Sequence, residues 1–395
     1  MTRKLPPVWL MGSLGNLPIG ILGAVMLVTL PQLLASMHVP EPQIATITAI
    51  GLAPTFFNFL LAPLLDWRFN RRTYAIVFLL LGAVFQFAML ESLGNLGLLT
   101  LLLFGESLSV CLSRAALGGW LGAIVPQDQK GQLGTWYAVV NIGGTGIVII
   151  IAIILLRDLP FALGAGLLSL MLLPSLVLCF LLPVVPADGR LARDSFVQFF
   201  RDLAGLLRQR EILWTLMLFA TPSASFAFSN MLGGLGRDFG ASERLVSIIG
   251  GTGATIAGVA GSLLVPLLLR LVRPRPLYLL IGGIGACFTL ALIGARPSPV
   301  IFALAMLGEN LFQSAAFAVE YTINLRSIGA NNPFAATQFA LIRASSSFPI
   351  AYMQVFDGQA YGRGGISMAL LADGGSTLAA CCLLALLFRL RQRPN

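Results

Sequence analysis

Twelve apolar runs follow one another along this chain, with only short polar breaks between most of them. A helix needs about 20 apolar residues to cross the hydrocarbon layer of a membrane. Any span must also satisfy its backbone polar groups internally. The runs lie at about 8–36, 42–65, 73–92, 97–124, 133–156, 159–183, 212–235, 244–270, 277–295, 298–325, 334–356 and 366–389. They are far longer than the roughly ten-residue alternating strands of a membrane barrel, so the sequence predicts an all-α membrane protein with twelve transmembrane helices. Charged residues make up 10% of the chain, against about 25% in soluble domains. The net charge of +9 sits in clusters between apolar runs, which is a topology signal and argues against a nucleic-acid partner. The opening MTRKLPPVW leads straight into the first run with no small-residue cleavage site, so it reads as a first helix and not a signal peptide.

Basic residues set the orientation. With the N-terminus inside, 18 Lys and Arg fall on the inner side, 5 on the outer side, and Arg114 and Arg343 lie within helices. Positive charge concentrates on the cytoplasmic face, so both termini are expected in the cytoplasm, and the expected location is the cell inner membrane. The longest loop, 184–211, is then internal and central. Within it Phe196, Phe199, Phe200, Leu203, Leu206 and Leu207 recur at helical spacing, the pattern of an amphipathic helix on a membrane surface. It divides the chain into an N-terminal six-helix half (1–183), a linker (184–211) and a C-terminal six-helix half (212–395).

The fourth run, LLLFGESLSVCLSRAALGGWLGA (101–123), carries Glu106 and Arg114 near its middle. Charge at that depth costs several kcal/mol on insertion scales, about 3 for a central residue, and marks function. A second copy follows: Gly105-Glu106-Ser107-Leu108 aligns with Gly308-Glu309-Asn310-Leu311, an offset of 203 residues. Trp9 and Trp214, Pro18 and Pro222, and Thr135-Trp136-Tyr137-Ala138 and Thr337-Gln338-Phe339-Ala340 repeat at nearly that offset. Two six-helix halves related by a parallel repeat is the arrangement of the major facilitator superfamily fold.

Three stretches carry a closer resemblance. AIGLAPTFFNFLLAPLLDWRFNRR (49–72), AATQFALIRASSS (335–347) and LGNLPIGIL (14–22) resemble the second, eleventh and first helices of the peptide–acetyl-CoA–drug transporter family. That family contains the AmpG-type muropeptide permeases and single-component siderophore importers. The aspartate-rich fourth helix of AmpG-type permeases is replaced here by SVCLSRAALGG, and the twelve-helix siderophore-importer branch matches the length. The resemblance implies a proton-coupled importer of a medium-sized organic solute, siderophore or muropeptide-like.

Candidate residues follow from burial and position. The ionisable groups inside helices are Glu106, Arg114, Glu309, Glu320 and Arg343, with Asp373 shallower. Glu309 and Glu320 are eleven residues apart and share a helix face; both are candidates for proton coupling. Glu106, Arg114 and Arg343, with Asn16, Asn58, Tyr137, Asn141, Asn310, Gln313 and Gln338, form the candidate solute site. Arg343 has two open readings, a salt bridge to Glu309 or Glu320, or a guanidinium that meets an anionic solute. Asp66, Arg68, Arg71 and Arg72 follow the second helix, where superfamily members carry a gating loop; Asp66 is also placed to cap a neighbouring helix N-terminus. Gly250, Ala254 and Gly258 form a small-residue stripe for close helix packing. No nucleotide-binding or catalytic constellation is present, and neither an enzyme activity nor a cofactor or metal is expected. The expected partners are a small-molecule solute, protons and the lipid bilayer, with the protein a monomer. An exporter of drugs or metabolites on the same fold is the main alternative; a lipid carrier and an intramembrane enzyme follow.

Overall fold

The computed structural model describes residues 5–67, 69–183, 201, 204–205, 208–330 and 332–391. Arg68 and all six apolar positions of the expected amphipathic helix (Phe196, Phe199, Phe200, Leu203, Leu206 and Leu207) lie outside the described residues. Among those described, the chain is helical and contains no strand. The first six spans are α1 (Val8–Ser36), α2 (Glu41–Leu60), α3 (Arg71–Glu91), α4 (Leu96–Ile124), α5 (Lys130–Asp158) and α6 (Phe161–Leu181). The seventh, α7, comprises Arg210–Ala220 and then Ser229–Leu232 continued by a tight turn over Gly233–Phe239. After it come α8 (Glu243–Leu271), α9 (Pro274–Gly294) and α10 (Pro299–Ser327). The helix Ala335–Arg391 is really two, α11 (335–363) and α12 (366–391). Gly364 (φ −147°) and Gly365 (φ 63°) depart from helical geometry between them, and the second value is one that glycine adopts without strain.

Local chemistry fixes several starts. The Asn70 side chain accepts from Thr73 N–H at the start of α3, and Asn95 accepts from Leu98 N–H at the start of α4. Ser242 does the same for Leu245 in α8. Each satisfies a donor that the first helical turn leaves without a partner.

The seventh run departs from the expected single helix over 212–235. It unwinds at Thr221–Phe228. Pro222 has no N–H to continue the ladder, Thr221 is extended (ψ 156°), and Phe226 sits at φ 47°. The freed backbone groups find partners. Ala220 O accepts from the Tyr352 hydroxyl at 3.0 Å, Ser223 O from Cys381 Sγ at 2.9 Å, and Phe226 O from Gln313 Nε2 at 3.3 Å. Broken membrane helices survive only where neighbours supply such bonds.

The chain forms two compact units. The first holds residues 1–207 and 324–344. Its core joins Ile21, Leu22 and Met26 of α1 to Met89 and Leu90 of α3, Leu99, Leu103 and Val110 of α4, and Leu168 and Leu172 near α6. Close approach, more than hydrophobicity, holds helices together in lipid. Accordingly Gly20 of α1 lies where a Cβ would stand 2.9 Å from Val140 O of α5. The second unit holds 208–323 and 345–395, with a core of Phe228, Leu232, Phe239, Phe302, Ala305 and Leu370. Here α8 packs on α10: Gly253 meets Leu307, and Gly261 meets the backbone of Leu311. Ala254 and Gly258 of the expected stripe are buried beside them.

The repeat recurs inside the units. In the first, the Phe85 ring of α3 lies against Gly105 of α4, about 3.2 Å from where a Cβ would be. In the second, the Phe288 ring of α9 lies against Gly308 of α10. Both residues of the second pair are 203 positions beyond those of the first.

Candidate transport site

Next to each of those glycines stands a glutamate. Glu106 is fully buried, and neither carboxylate oxygen has a hydrogen-bond partner. Gln86 of α3 is also fully buried with both amide atoms unpartnered. The two helices run antiparallel, and the contact of Gly82 with Val110 puts Gln86 near the level of Glu106. The second unit builds the same pair differently. At the position 203 residues beyond Gln86 stands Thr289, whose hydroxyl donates to Glu309 Oε1 at 2.5 Å; Oε2 of Glu309 has no partner.

Glu309 has acidic company. Asp373 of α12 lies in electrostatic range of Asp357 of α11, and neither oxygen of Asp357 nor Oδ1 of Asp373 has a hydrogen-bond partner. Glu309 is in electrostatic range of both aspartates. All three carboxyls are at least 98% buried. Among the described residues none of them forms a salt bridge. Glu320 is placed apart from these carboxyls and accepts from Ser346 Oγ at 2.7 Å.

The two intramembrane arginines both belong to the first unit. α4 and the start of α11 run antiparallel. Gly118 receives the Phe339 ring, 2.5 Å from its Cβ position, while Gly119 meets the backbone of Ala335 and Ala336. One helical turn along each strand of that contact stand Arg114 and Arg343. Both lie in electrostatic range of the Cys111 thiol, and they are 6% and 9% exposed.

Two of the residues expected to gate, Asp66 and Arg71, form a brace. Asp66 accepts from Arg71 Nε at 2.9 Å, from Ala336 N–H at 3.2 Å, and from the N–H and hydroxyl of Thr337, each at 2.8 Å. Its carboxylate therefore caps the N-terminus of α11, where the helix dipole favours negative charge. Burial pushes the Asp66 carboxyl above its usual range; Arg71 and the bonds from Thr337 act in the opposite direction. Arg71 also donates to Asn332 O and Pro333 O at 3.0 and 2.9 Å. Arg72 turns elsewhere, its guanidinium carbon 5.4 Å from the Phe180 ring centroid. Lys130 and Gln127, which sequence reasoning did not select, hold the other end of the same segment: Lys130 Nζ donates to Ile328 O at 2.9 Å and Gln127 Nε2 to Arg326 O at 3.4 Å.

The polar candidates separate into groups. Asn16 Nδ2 donates to Tyr137 O at 2.8 Å, and the Tyr137 ring meets Phe339 edge-on with centroids 6.4 Å apart. Gln313 bonds Ser229 and Phe226 in the broken helix. Asn58 donates to the carbonyls of its own turn, Pro54 and Thr55, and Asn310 to the carbonyl and sulfur of Met306. Asn141 lies in a widened turn of α5 and accepts from Thr145 at its carbonyl. Gln338 belongs to the brace, donating to Ser327 and accepting from Asn332.

Sequence reasoning missed Gln86, Thr289 and Asp357. The first two were available: they stand at the same 203-residue offset as the glutamates. Asp357 has no repeat counterpart to announce it, since position 154 is isoleucine.

A family profile described as Major Facilitator Superfamily matches residues 12–351. The chain belongs to this superfamily. Solved structures agree along nearly the whole length. The Escherichia coli fucose:proton symporter FucP is 15% identical, with a TM-score of 0.69 over 98% of this chain and 99% of its own. A bacterial homologue of the iron transporter ferroportin is 14% identical, with a TM-score of 0.72 over 98% and 100%. The human organic anion transporter MFSD10 is 16% identical, with a TM-score of 0.68 over 96% and 100%. No curated relative matches. By family and fold this is a multi-pass membrane transporter, with twelve helices in the major facilitator arrangement.

Proposed function

We propose that this superfamily member is a proton-coupled secondary transporter of the inner membrane. On this reading it imports a medium-sized organic solute, siderophore or muropeptide-like, by rocking two six-helix halves (1–183 and 212–395, joined by 184–211) about a central site. The observation that carries the reading is the inequality of the twin glutamates. Glu106 is fully buried with no hydrogen-bond partner on either oxygen. Glu309 stands beside a hydroxyl and two further buried carboxyls, and among the described residues no salt bridge reaches any of the three. A carboxyl with that surrounding takes up and releases protons as its access changes, while its partner is left to serve the solute. FucP, whose fold matches, is a proton symporter, which supports coupling to protons as the mode. The Asp66–Arg71 brace supplies a contact that can form in one state of the cycle and break in another.

The test is transport by cells overproducing the protein, supplied in parallel with ferric siderophores, muropeptides and a cationic dye. Uptake of either of the first two, abolished by a protonophore, is the expected result. Outward movement of the dye with no uptake favours the exporter alternative instead.

A further inference from the structure

The carboxyls beside Glu309 carry an inference about the route of the proton, which rests on the proton-coupling reading and deepens it. Glu309 of α10, Asp357 of α11 and Asp373 of α12 all lie in the second unit. Among the described residues, five buried oxygens here have no hydrogen-bond partner: Oε2 of Glu309, both of Asp357, Oδ1 of Asp373 and the hydroxyl of Thr377. Thr377 is not acidic, is 3% exposed, and stands one turn after Asp373. A helical side chain leans back over the turn before it, so this hydroxyl lies over the turn that carries the aspartate. The charges in electrostatic range of Asp357 are those of Asp373 and Glu309. The cations at this end of the unit are Arg237 after α7, Arg244 of α8, Arg296 before α10 and Arg363 at the end of α11. All four are exposed, and Arg237 lies 3.8 Å from the exposed Glu243.

The acidic groups continue towards the helix ends. Tyr361 stands one turn after Asp357 on the same face of α11, and its hydroxyl donates at 2.7 Å to Oδ2 of Asp238, in the turn that follows α7. Asp238 is exposed, and Tyr361 packs partly buried against the core of the unit. Tyr361 and Asp357 are two and six residues from the end of α11 at 363; Asp373 is seven from the start of α12 at 366, and Glu309 ten from the start of α10 at Pro299. At about 1.5 Å per residue these are about 3, 9, 10 and 15 Å of helix rise. The basic residues assign those helix ends to the outer side. The acids therefore descend in steps from an exposed carboxylate to a buried one. Buried oxygens that lack partners, among like charges and without a counter-ion, are stabilised by a proton or by a bridging water. We propose that Asp238, Tyr361, Asp357 and Asp373 form the outer proton path to Glu309, so that the proton enters through the second unit along α11 and α12 and not through the solute site. Each step moves one proton between oxygens. Asp238 takes it from bulk water, and Tyr361 accepts it while releasing its own hydroxyl proton inward. Asp357 and Asp373 then hand it through water to the carboxylate of Glu309.

The experiment follows the proton itself, in full-length protein reconstituted into liposomes and selected for one orientation through a terminal tag. The pH is dropped from alkaline to acid on one face, and the infrared C=O stretch of protonated carboxyl groups is recorded over time. The Glu309 component is the one missing from Glu309→Gln. In the wild type this component rises after a drop on the outer face. Asp357→Asn slows that rise by about tenfold or more, Tyr361→Phe slows it to a smaller extent, and Asp357→Glu restores it. The response of Asp357→Asn to a drop on the inner face stays as in the wild type, and exposed Glu243→Gln changes neither response. A wild-type outer rate in Asp357→Asn overturns the path, and so does equal slowing from both faces, which makes Asp357 structural. If Asp357→Asn does not fold, Asp373→Asn and Tyr361→Phe carry the same test, and wild-type outer rates in both overturn the path. In each of these outcomes Glu309 still titrates, so the coupling reading survives. A wild type in which Glu309 never gains a proton overturns that reading and the path with it.

Discussion

The Thr289 hydroxyl donates to Oε1 of Glu309 at 2.5 Å, and it is the only side chain of α9 that bonds this carboxyl. Thr289→Val leaves a fully buried carboxyl with no hydrogen-bond partner on either oxygen. The expected cost is about 1–3 kcal/mol, read as a lower unfolding midpoint in detergent and restored by Thr289→Ser. The equivalent change in the other repeat has the opposite sign. Gln86 bonds nothing among the described residues, so Gln86→Met is neutral or stabilising in the same assay.

Helix packing at the glutamates gives a second contrast. A methyl group added at Gly308 runs into the Phe288 ring, while one at Gly105 meets the Phe85 ring at about 3.2 Å. Overpacking costs about 1–3 kcal/mol. Gly308→Ala is expected at the upper end of that range and Gly105→Ala at or below the lower end, both measured as midpoint shifts. Equal shifts mean that α3–α4 and α9–α10 do not differ as described.

Much of this was legible in the chain. Twelve apolar runs, the half-chain offset of Glu106 and Glu309, and the capping role of Asp66 all follow from spacing and residue type. What was not legible depends on which side chains meet. The break in α7 was hidden because Pro222 sits in a run whose hydropathy continues unbroken, and prolines at Pro18, Pro54, Pro266 and Pro349 lie inside helices that do continue. Gln338 was read as lining a solute site because it lies near the start of α11, yet its amide is used by Ser327. Arg114 and Arg343 were each noticed, but that both lie in range of Cys111 depends on a helix register that 228 residues of intervening sequence do not reveal.

The brace predicts a large effect at one residue. Asp66 accepts four bonds from Arg71, Ala336 and Thr337. Asp66→Ala strands the Arg71 guanidinium and uncaps α11, a loss of about 3–5 kcal/mol for breaking a buried pair. Asp66→Asn keeps one acceptor and is expected to lose about half as much. The check is thermal unfolding of both variants; a change below about 0.5 kcal/mol in Asp66→Ala means the brace carries no stability.

Topology is testable without knowing the solute. The 18-to-5 division of basic residues predicts position 190 inside and position 363 outside. In a background with the five native cysteines replaced, a membrane-impermeant maleimide is expected to label Arg363→Cys in intact cells. Arg190→Cys is expected to react only after lysis. Labelling of position 190 in intact cells contradicts the twelve-helix orientation.

Proton coupling at Glu309 is the central claim, and one assay addresses it directly. Proteoliposomes containing wild-type or Glu309→Gln protein are given a transported solute with and without an imposed pH gradient, alkaline inside. The account predicts that Glu309→Gln still equilibrates solute down its own gradient but no longer concentrates it when the pH gradient is applied, whereas the wild type does both. If Glu309→Gln concentrates the solute as the wild type does, Glu309 is not the coupling carboxyl, and the paired glutamates serve only to hold their helices together.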